Sequence, residues 1–310
     1  MAPERQLGSS PSMLGLFSRA GLAMIPGASR LPFIAGGGTE MPSLTMALTD
    51  VRVDRDRLAS YDRVCGFALG DTLPPTYPHM LAFPLHLALM TDGSFPFAAI
   101  GLVHIANSIT QLRPIKASET LSIRVWATRI EPHPRGRQFT IHTEVSSADE
   151  VVWISASTEL KRGGGEGEGG SVRSADVDVD IQELPATATW KLPGDLGRRY
   201  GAVSGDLNPI HVHPLTARLF GFPTAIAHGM WTKARCLAAL ESRLPGAFSV
   251  DVRFRRPIVL PAEVSFASAA EGTEIAFAVR GAKRGTPHLD GRIEHLEAKP
   301  KAKSGRKKAK

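Results

Sequence analysis

Hydrophobic and polar positions fall into two successive blocks, each with a helical pattern first and strands after it. In the first block a strand-like run from Leu44 to Val53 leads into a helix pattern from Asp54 to Cys65. Beyond the segment Thr72–Met90, Leu121, Ile123 and Val125 alternate with Ser122, Arg124 and Trp126. Phe139, Ile141, Thr143 and Val145 alternate with polar neighbours in the same way, the period-two signature of half-buried strands, and Val151–Leu160 closes the block. The second block restarts near Gln182. Met230, Ala234, Leu237 and Ala238 share one stripe of a helix expected from Gly229 to about Leu244, which Leu244-Pro-Gly246 ends. Val250/Val252/Phe254, Val264/Phe266 and Ile275/Phe277/Val279 then return to period two. One helix followed by antiparallel strands, twice over, predicts an α+β duplication.

Composition marks what lies around the blocks. Residues 1–43 are rich in Gly, Pro and Ser and read as an N-terminal extension, partly disordered, with a short helix near Leu14–Ala23. The first domain is expected at 44–161, a Gly-rich linker at 162–181, the second domain at 182–297 and a disordered basic tail at 298–310. The two blocks also align. Tyr61-Asp-Arg-Val-Cys-Gly66-Phe67 lines up with Tyr200-Gly-Ala-Val-Ser-Gly205-Asp206, Tyr77–Pro84 with Phe222–Gly229, and Arg113-Pro-Ile115 with Arg256-Pro-Ile258. On this alignment Phe67 stands where Asp206 is, Pro84 stands where Gly229 is, and the first copy is shorter between these blocks.

The chemistry-bearing residues concentrate in Tyr200-Gly-Ala-Val-Ser-Gly-Asp206-Leu-Asn208-Pro209-Ile-His211, with His228-Gly229-Met230 following. Asn208 reads as an N-cap and Pro209 as the first residue of a helix that Pro214 makes short or bent and Gly221 stops. Asp206 then lies on the entering loop and His211 in the first turn. A turn rises only about 5 Å, so both side chains can reach one substrate atom. A plain capping loop with a surface histidine is the structural alternative for such a turn.

Charge adds little. The formal +7 comes from the tail Lys299–Lys310, which holds seven basic residues and no acidic one; the rest balances at 30 basic against 30 acidic residues. Nucleic-acid binding is therefore not expected of the body. Cys65 and Cys236 lie in apolar surroundings without metal-type spacing and read as buried free thiols. No zinc-ligand spacing and no dinucleotide loop is present, so neither metal nor cofactor is expected. No apolar run reaches the ~18 residues of a membrane span, and a cytoplasmic location is expected.

The segment from Tyr200 to His211, followed by Ala217, resembles the hydratase-2 signature of the MaoC-like hot-dog family, Tyr-x-x-Val-Ser-Gly-Asp-x-Asn-Pro-x-His. The whole order, over about residues 45–297, resembles the double hot-dog dehydratases, two sheet-wrapped-helix units in one chain. Thr76-Tyr77-Pro78, Phe220–Pro223 and Ala227–Met230 are similar to segments of the mycobacterial (3R)-hydroxyacyl-thioester dehydratases. The resemblance implies a tandem hot-dog fold, reversible hydration of trans-2-enoyl thioesters on coenzyme A or acyl carrier protein, and an N-terminal half that lends its emptied site to the acyl chain.

That reaction needs water activated at C3, a proton delivered at C2 and stabilisation of enolate charge. Asp206 and His211 are the expected acid–base pair, and which of them is base in each direction stays open. The Gly229 N–H, at a helix start, is the expected oxyanion donor. Asn208 either orients the water or His211, or only caps the helix. Tyr200, Ser204, Gly205, His228 and Met230 are the candidate substrate-binding residues, with packing or a structural hydrogen bond as the other reading of His228. Arg198, Arg199, Arg253, Arg255 and Arg256 either meet substrate phosphates or are solvated. Loss of the carboxylate, imidazole and donor makes the first copy a non-catalytic partner. A homodimer is compatible with the resemblance. The rival readings are a hot-dog thioesterase and a non-catalytic acyl-binding scaffold.

Overall fold

The computed structural model describes residues 3–297 apart from 26, 32–33, 37 and 164–180. The expected tail, and all but the ends of the expected linker, lie outside the described residues. In the first half β2 (Thr45–Val51) leads to helices α2 (Arg55–Cys65) and α3 (Tyr77–Met90), then strands β3 (Leu102–Gln111), β4 (Leu121–Ala127), β5 (Glu131–His133), β6 (Gly136–Ser147) and β7 (Glu150–Arg162). The second half repeats the plan with β8 (Ala186–Leu192), α4 (Leu196–Ser204), α5 (Pro209–Val212), α6 (Pro214–Leu219) and α7 (Gly229–Ala239). It closes with β9 (Phe248–Phe254), β10 (Ala262–Glu271), β11 (Glu274–Gly281) and β12 (Pro287–His295).

The local signals act as physical chemistry requires. Asp54 caps α2 by accepting from Asp56 N and Arg57 N at 2.9 and 3.0 Å, a cap worth about 1 kcal/mol. Gly66 ends that helix at φ 85° and Gly205 ends α4 at φ 83°. Alternating positions on the strands put Leu121, Ile123, Val125, Phe139, Phe277 and Val279 into one core cluster around α3 and α7.

Strand order shows the duplication directly. The sheet runs β2-β4-β6-β7-β3 through the first half and β9-β12-β11-β10-β8 through the second, so each half is the other read backwards. The halves join at an antiparallel β3–β9 seam in which Ser108 pairs with Asp251. Those two are equivalents on the Arg113/Arg256 alignment, so a local twofold passes between them. Tyr61 and Tyr200, equivalents likewise, bring their rings to 6.0 Å. Arg57 Nε donates to Val203 O and Trp231 Nε1 to Val64 O, both at 2.9 Å, tying the halves a second time.

One pairing of the repeats is corrected by the structure. Leu73 N donates to Ile115 O at 2.8 Å, and Ala227 N donates to Ile258 O at 2.9 Å. Leu73, not Ala82, is therefore the counterpart of Ala227. Pro84 lies inside α3 rather than at its start, and it does not occupy the place of Gly229. The first helix begins instead at Tyr77-Pro78, and the correct register makes the chain between Gly66 and Leu73 shorter still against Gly205–Ala227. The short helices α5 and α6 have no counterpart there.

The N-terminal extension is built into the fold. β1 (Glu4–Leu7) adds a parallel edge strand to β2, and α1 (Met13–Leu22) buries Leu16 and Ala20. Arg19 of α1 donates to Thr91 O beyond the end of α3 at 2.9 Å.

Candidate active site

Three features of α4 and its exit shape the motif loop. Gly197 and Gly201 lie on one face of α4, four residues apart. A Cβ on Gly197 would overlap the His211 carbonyl oxygen, and one on Gly201 would sit 2.9 Å from Asp206 O. Bare backbone on that face therefore lets the loop lie against the helix. Gly205 then takes the left-handed conformation that glycine adopts without strain. A relay of side-chain caps holds the rest: Ser204 Oγ accepts from Asp206 N at 3.1 Å, Asp206 Oδ1 from Asn208 N at 3.1 Å, and Asn208 Oδ1 from Ile210 N at 3.4 Å.

Asn208 and Pro209 start α5 as the sequence pattern predicts, but the expected bent helix is two helices. His213 is extended at φ −144°, and its Nδ1 accepts from Leu215 N at 3.2 Å to cap α6. His213 is thus a cap.

The three groups of chemical interest converge. Asp206, His211 and His228 each bring one ligand atom within 4.8 Å of the others, a spacing that suits one shared water or a cation. His211 Nδ1 lies 2.8 Å from Ile226 O. A carbonyl only accepts, so Nδ1 carries the proton and Nε2 of the neutral ring is left as acceptor. His228 Nε2 likewise donates to Asp206 O at 3.0 Å, and it stands 3.7 Å from Asp206 Oδ2. The two imidazoles stack with centroids 3.7 Å apart, and Tyr200 packs on His228 at 4.8 Å. His228 therefore holds the loop through its backbone while Tyr200 backs the ring.

Burial sets the charges. Removal from water pushes Asp206 up from the usual carboxylate range, opposed by the His211 imidazole and the Asn208 N–H. Burial pulls His211 down, opposed by Asp206 and the Ile226 carbonyl. Burial and the neighbouring His211 keep His228 neutral. An uncharged imidazole beside a carboxyl with raised proton affinity is a pair across which a proton can move either way.

The pair opens on a cavity of about 310 Å³ between the halves. Asp206, Asn208, His211, Gly229, Tyr200, Ser204, His228 and Met230 all line it; Gly205 does not, and shapes the turn instead. Gly229 is the first residue of α7, where amide N–H groups have no helical acceptor and the dipole favours negative charge. A Cβ there would lie 3.0 Å from the Phe254 ring, so glycine is also a steric requirement. Arg255 and Arg256 border the cavity, and Asp290 grips Arg255 at 2.6 Å.

The chain is similar to known proteins in both sequence and fold. A family model described as a MaoC like domain matches residues 179–290. The 3-hydroxyacyl-thioester dehydratase X of Mycobacterium tuberculosis is 35% identical over 292 residues, spanning 93% of this chain and 100% of that protein. The chain belongs to the MaoC-like dehydratase family. A crystal structure of HtdX from Mycobacterium tuberculosis matches at TM-score 0.72 and 36% identity, over 81% of this chain and 100% of that one. Another Mycobacterium tuberculosis protein, described as having a double hotdog fold, matches at TM-score 0.50 and 11% identity over 79% of this chain and 93% of that one. It shares the fold alone.

This MaoC-like chain is thus a tandem hot-dog hydro-lyase, and the fold is the α+β duplication that the periodicity predicts. Its cavity also contains residues that the motif does not reveal: Glu159 of β7, His104 of β3, and His79 and His86 of α3. The sequence signal for Glu159 is an ionisable residue inside the apolar run Val151–Leu160. Among the described residues no helix is long and apolar enough to cross a membrane.

Proposed function

We propose that this chain catalyses the reversible dehydration of (3R)-hydroxyacyl thioesters to trans-2-enoyl thioesters, carried on coenzyme A or acyl carrier protein. The observation that carries the reading is the convergence of Asp206 and His211 on the cavity wall beside the first N–H groups of α7. The relatives named as dehydratases support the same reaction class.

In dehydration the C2–H and C3–O bonds break, the C2–C3 double bond forms, and the hydroxyl leaves with a proton as water. The Asp206/His211 pair takes the proton from C2 and returns one to the departing hydroxyl. Hydration runs the same steps backwards. Positioned acid–base groups contribute about 10²–10⁴-fold. The Gly229 N–H receives the negative charge that develops on the thioester oxygen, a donor whose loss costs about 10²–10³ in rate. Asn208 and His228 act through the loop: one caps α5 and the other anchors the Asp206 carbonyl. The first half supplies no acid–base pair, because Phe67 follows its helix-ending glycine and α5 is missing.

The test is loss of the enoyl-thioester absorbance with purified protein and short, medium and long trans-2-enoyl-CoA, wild type beside Asp206→Asn. Wild type hydrates at least one length class, and the variant is slower by about 100-fold or more. Equal rates for the two proteins overturn the assignment of the pair. Free thiol release without hydration turns the reading to a thioesterase.

A further inference from the structure

Among the described residues the cavity wall contains two carboxyls, and only Asp206 belongs to the motif. The other, Glu159, comes from the first half. It lies directly across the β3–β7 ladder from His104, where the register shifts between His104 and Ala106. Bulges of this kind re-aim side chains and gather beside functional sites. Glu159 is half-buried and its carboxyl faces the cavity with no hydrogen-bond or ion-pair partner among the described residues, so its polar capacity is open to whatever fills that space. Removal from bulk water, then the nearby Asp206 carboxyl, push it up to about 8. It is therefore predominantly protonated at neutral pH, a donor without an acceptor.

Its surroundings extend the same pattern. His79 and His104 stack at 6.3 Å, and burial holds both neutral. His79 Nδ1 and His104 Nε2 are buried without hydrogen bonds. His104 in turn packs on Phe254 at 4.9 Å, the ring that bounds Gly229. A polar strip thus starts beside the acid–base pair and continues into the first half. Much of the rest of the wall contributed by that half is apolar, with Met80, Phe83, Leu87, Met90 and Ile100, while His86, Arg135 and Arg162 also line it. A cavity for an unmodified alkyl chain has no use for an unpartnered carboxyl, since desolvating one without a hydrogen bond is unfavourable.

Resting on the thioester-dehydratase reading, we propose that Glu159 is a specificity-determining residue that hydrogen-bonds a polar group on the acyl chain beyond C3. The preferred substrates are then acyl thioesters bearing a hydroxyl or keto group on the chain, ahead of plain alkyl ones. A site that hydrogen-bonds a substrate group discriminates strongly against the analogue lacking it, because its own polar groups are left unpaired.

The test compares trans-2-octenoyl-CoA, unsubstituted and with a single hydroxyl at C5, C6 or C7, on wild type, Glu159→Gln and Glu159→Leu. Wild type favours at least one hydroxylated chain in kcat/KM by about 10-fold or more. Glu159→Gln, which still hydrogen-bonds, keeps the preference, and Glu159→Leu reverses it. A wild-type preference for the unsubstituted chain overturns the proposal by itself, whatever the variants do. So does a ratio left unchanged in a folded Glu159→Leu. Wild type inactive on every one of these thioesters, and on carrier-protein thioesters too, overturns the dehydratase reading instead, and this proposal with it.

Discussion

The exits of α2 and α4 are the same piece of backbone carrying different chemistry. Each helix ends on a glycine in the left-handed region, at φ 85° and 83°, and each has a buried tyrosine five residues before it. After Gly66 comes Phe67, buried in the core; after Gly205 comes Asp206, facing the cavity. The first half then runs within seven residues to Leu73, whereas the second inserts α5 and α6 and with them His211. What is common to both halves is what packs the tandem: the helix stop, the tyrosine pair and the seam. What differs is one side chain and one insertion, and on the proposed reading those two suffice to confine chemistry to one half.

The sharpest way to break this comparison is to make the two exits alike. Phe67→Asp places a carboxyl where an aromatic ring is buried. The first half has no α5 and so no counterpart of His211, and the carboxyl adds no second site. The ring's burial is lost and a carboxyl is desolvated, and together these destabilise by about 3–5 kcal/mol. Thermal melting checks the loss, and residual hydration per folded molecule checks the absence of a gain. A rise in turnover above wild type would mean that the first half needs only the carboxylate.

Gly229→Ala tests the other end of the pair. The variant keeps its N–H, so a rate loss here is steric: the new Cβ meets the Phe254 ring at 3.0 Å. The expected loss is about 10- to 100-fold in kcat, short of what losing an oxyanion donor outright costs. Combining it with Phe254→Leu removes the clash and restores part of the rate. Additive losses in the double variant would show that the ring is not what the alanine meets.

Much of this was legible in the residues. The strands β4, β6, β9 and β11 follow from alternation, and the α5 cap follows from Asn208-Pro209. The signals ran out where backbone register decides. The alignment sets Pro84 against Gly229, where a helix starts, yet Pro84 lies in the middle of α3, because that helix begins at Tyr77. β1 is exposed along nearly all its length, with only Leu7 partly covered, so no period shows it; its pairing with β2 makes it a strand. β3 loses its alternation where the register shifts after His104. That same shift lies opposite Glu159 of β7, which the alternation puts on a strand but not on the cavity wall.

The smallest expected effect concerns how each central helix is tethered. α3 carries His86, whose Nε2 meets Thr143 Oγ1 at 2.7 Å, within its own half. α7 carries Lys233, fully buried, whose Nζ donates to Asn107 O at 3.0 Å, Asn107 Oδ1 at 2.6 Å and Val250 O at 3.1 Å. Those acceptors sit on β3 and β9, so this one side chain clasps both halves at the seam. Burial pulls the Lys233 ammonium down, opposed by the Asp251 carboxylate. Replacing Lys233 with Met removes the desolvation cost but leaves the Asn107 amide oxygen without its donor. The two oppose each other, and a net loss of about 1–2 kcal/mol is expected. Because the clasp crosses the seam, the loss should come with faster amide exchange in β3 and β9 together, while β4 and β10 stay protected. Exchange that quickens in β9 alone would place the tether inside the second half, as His86 is inside the first.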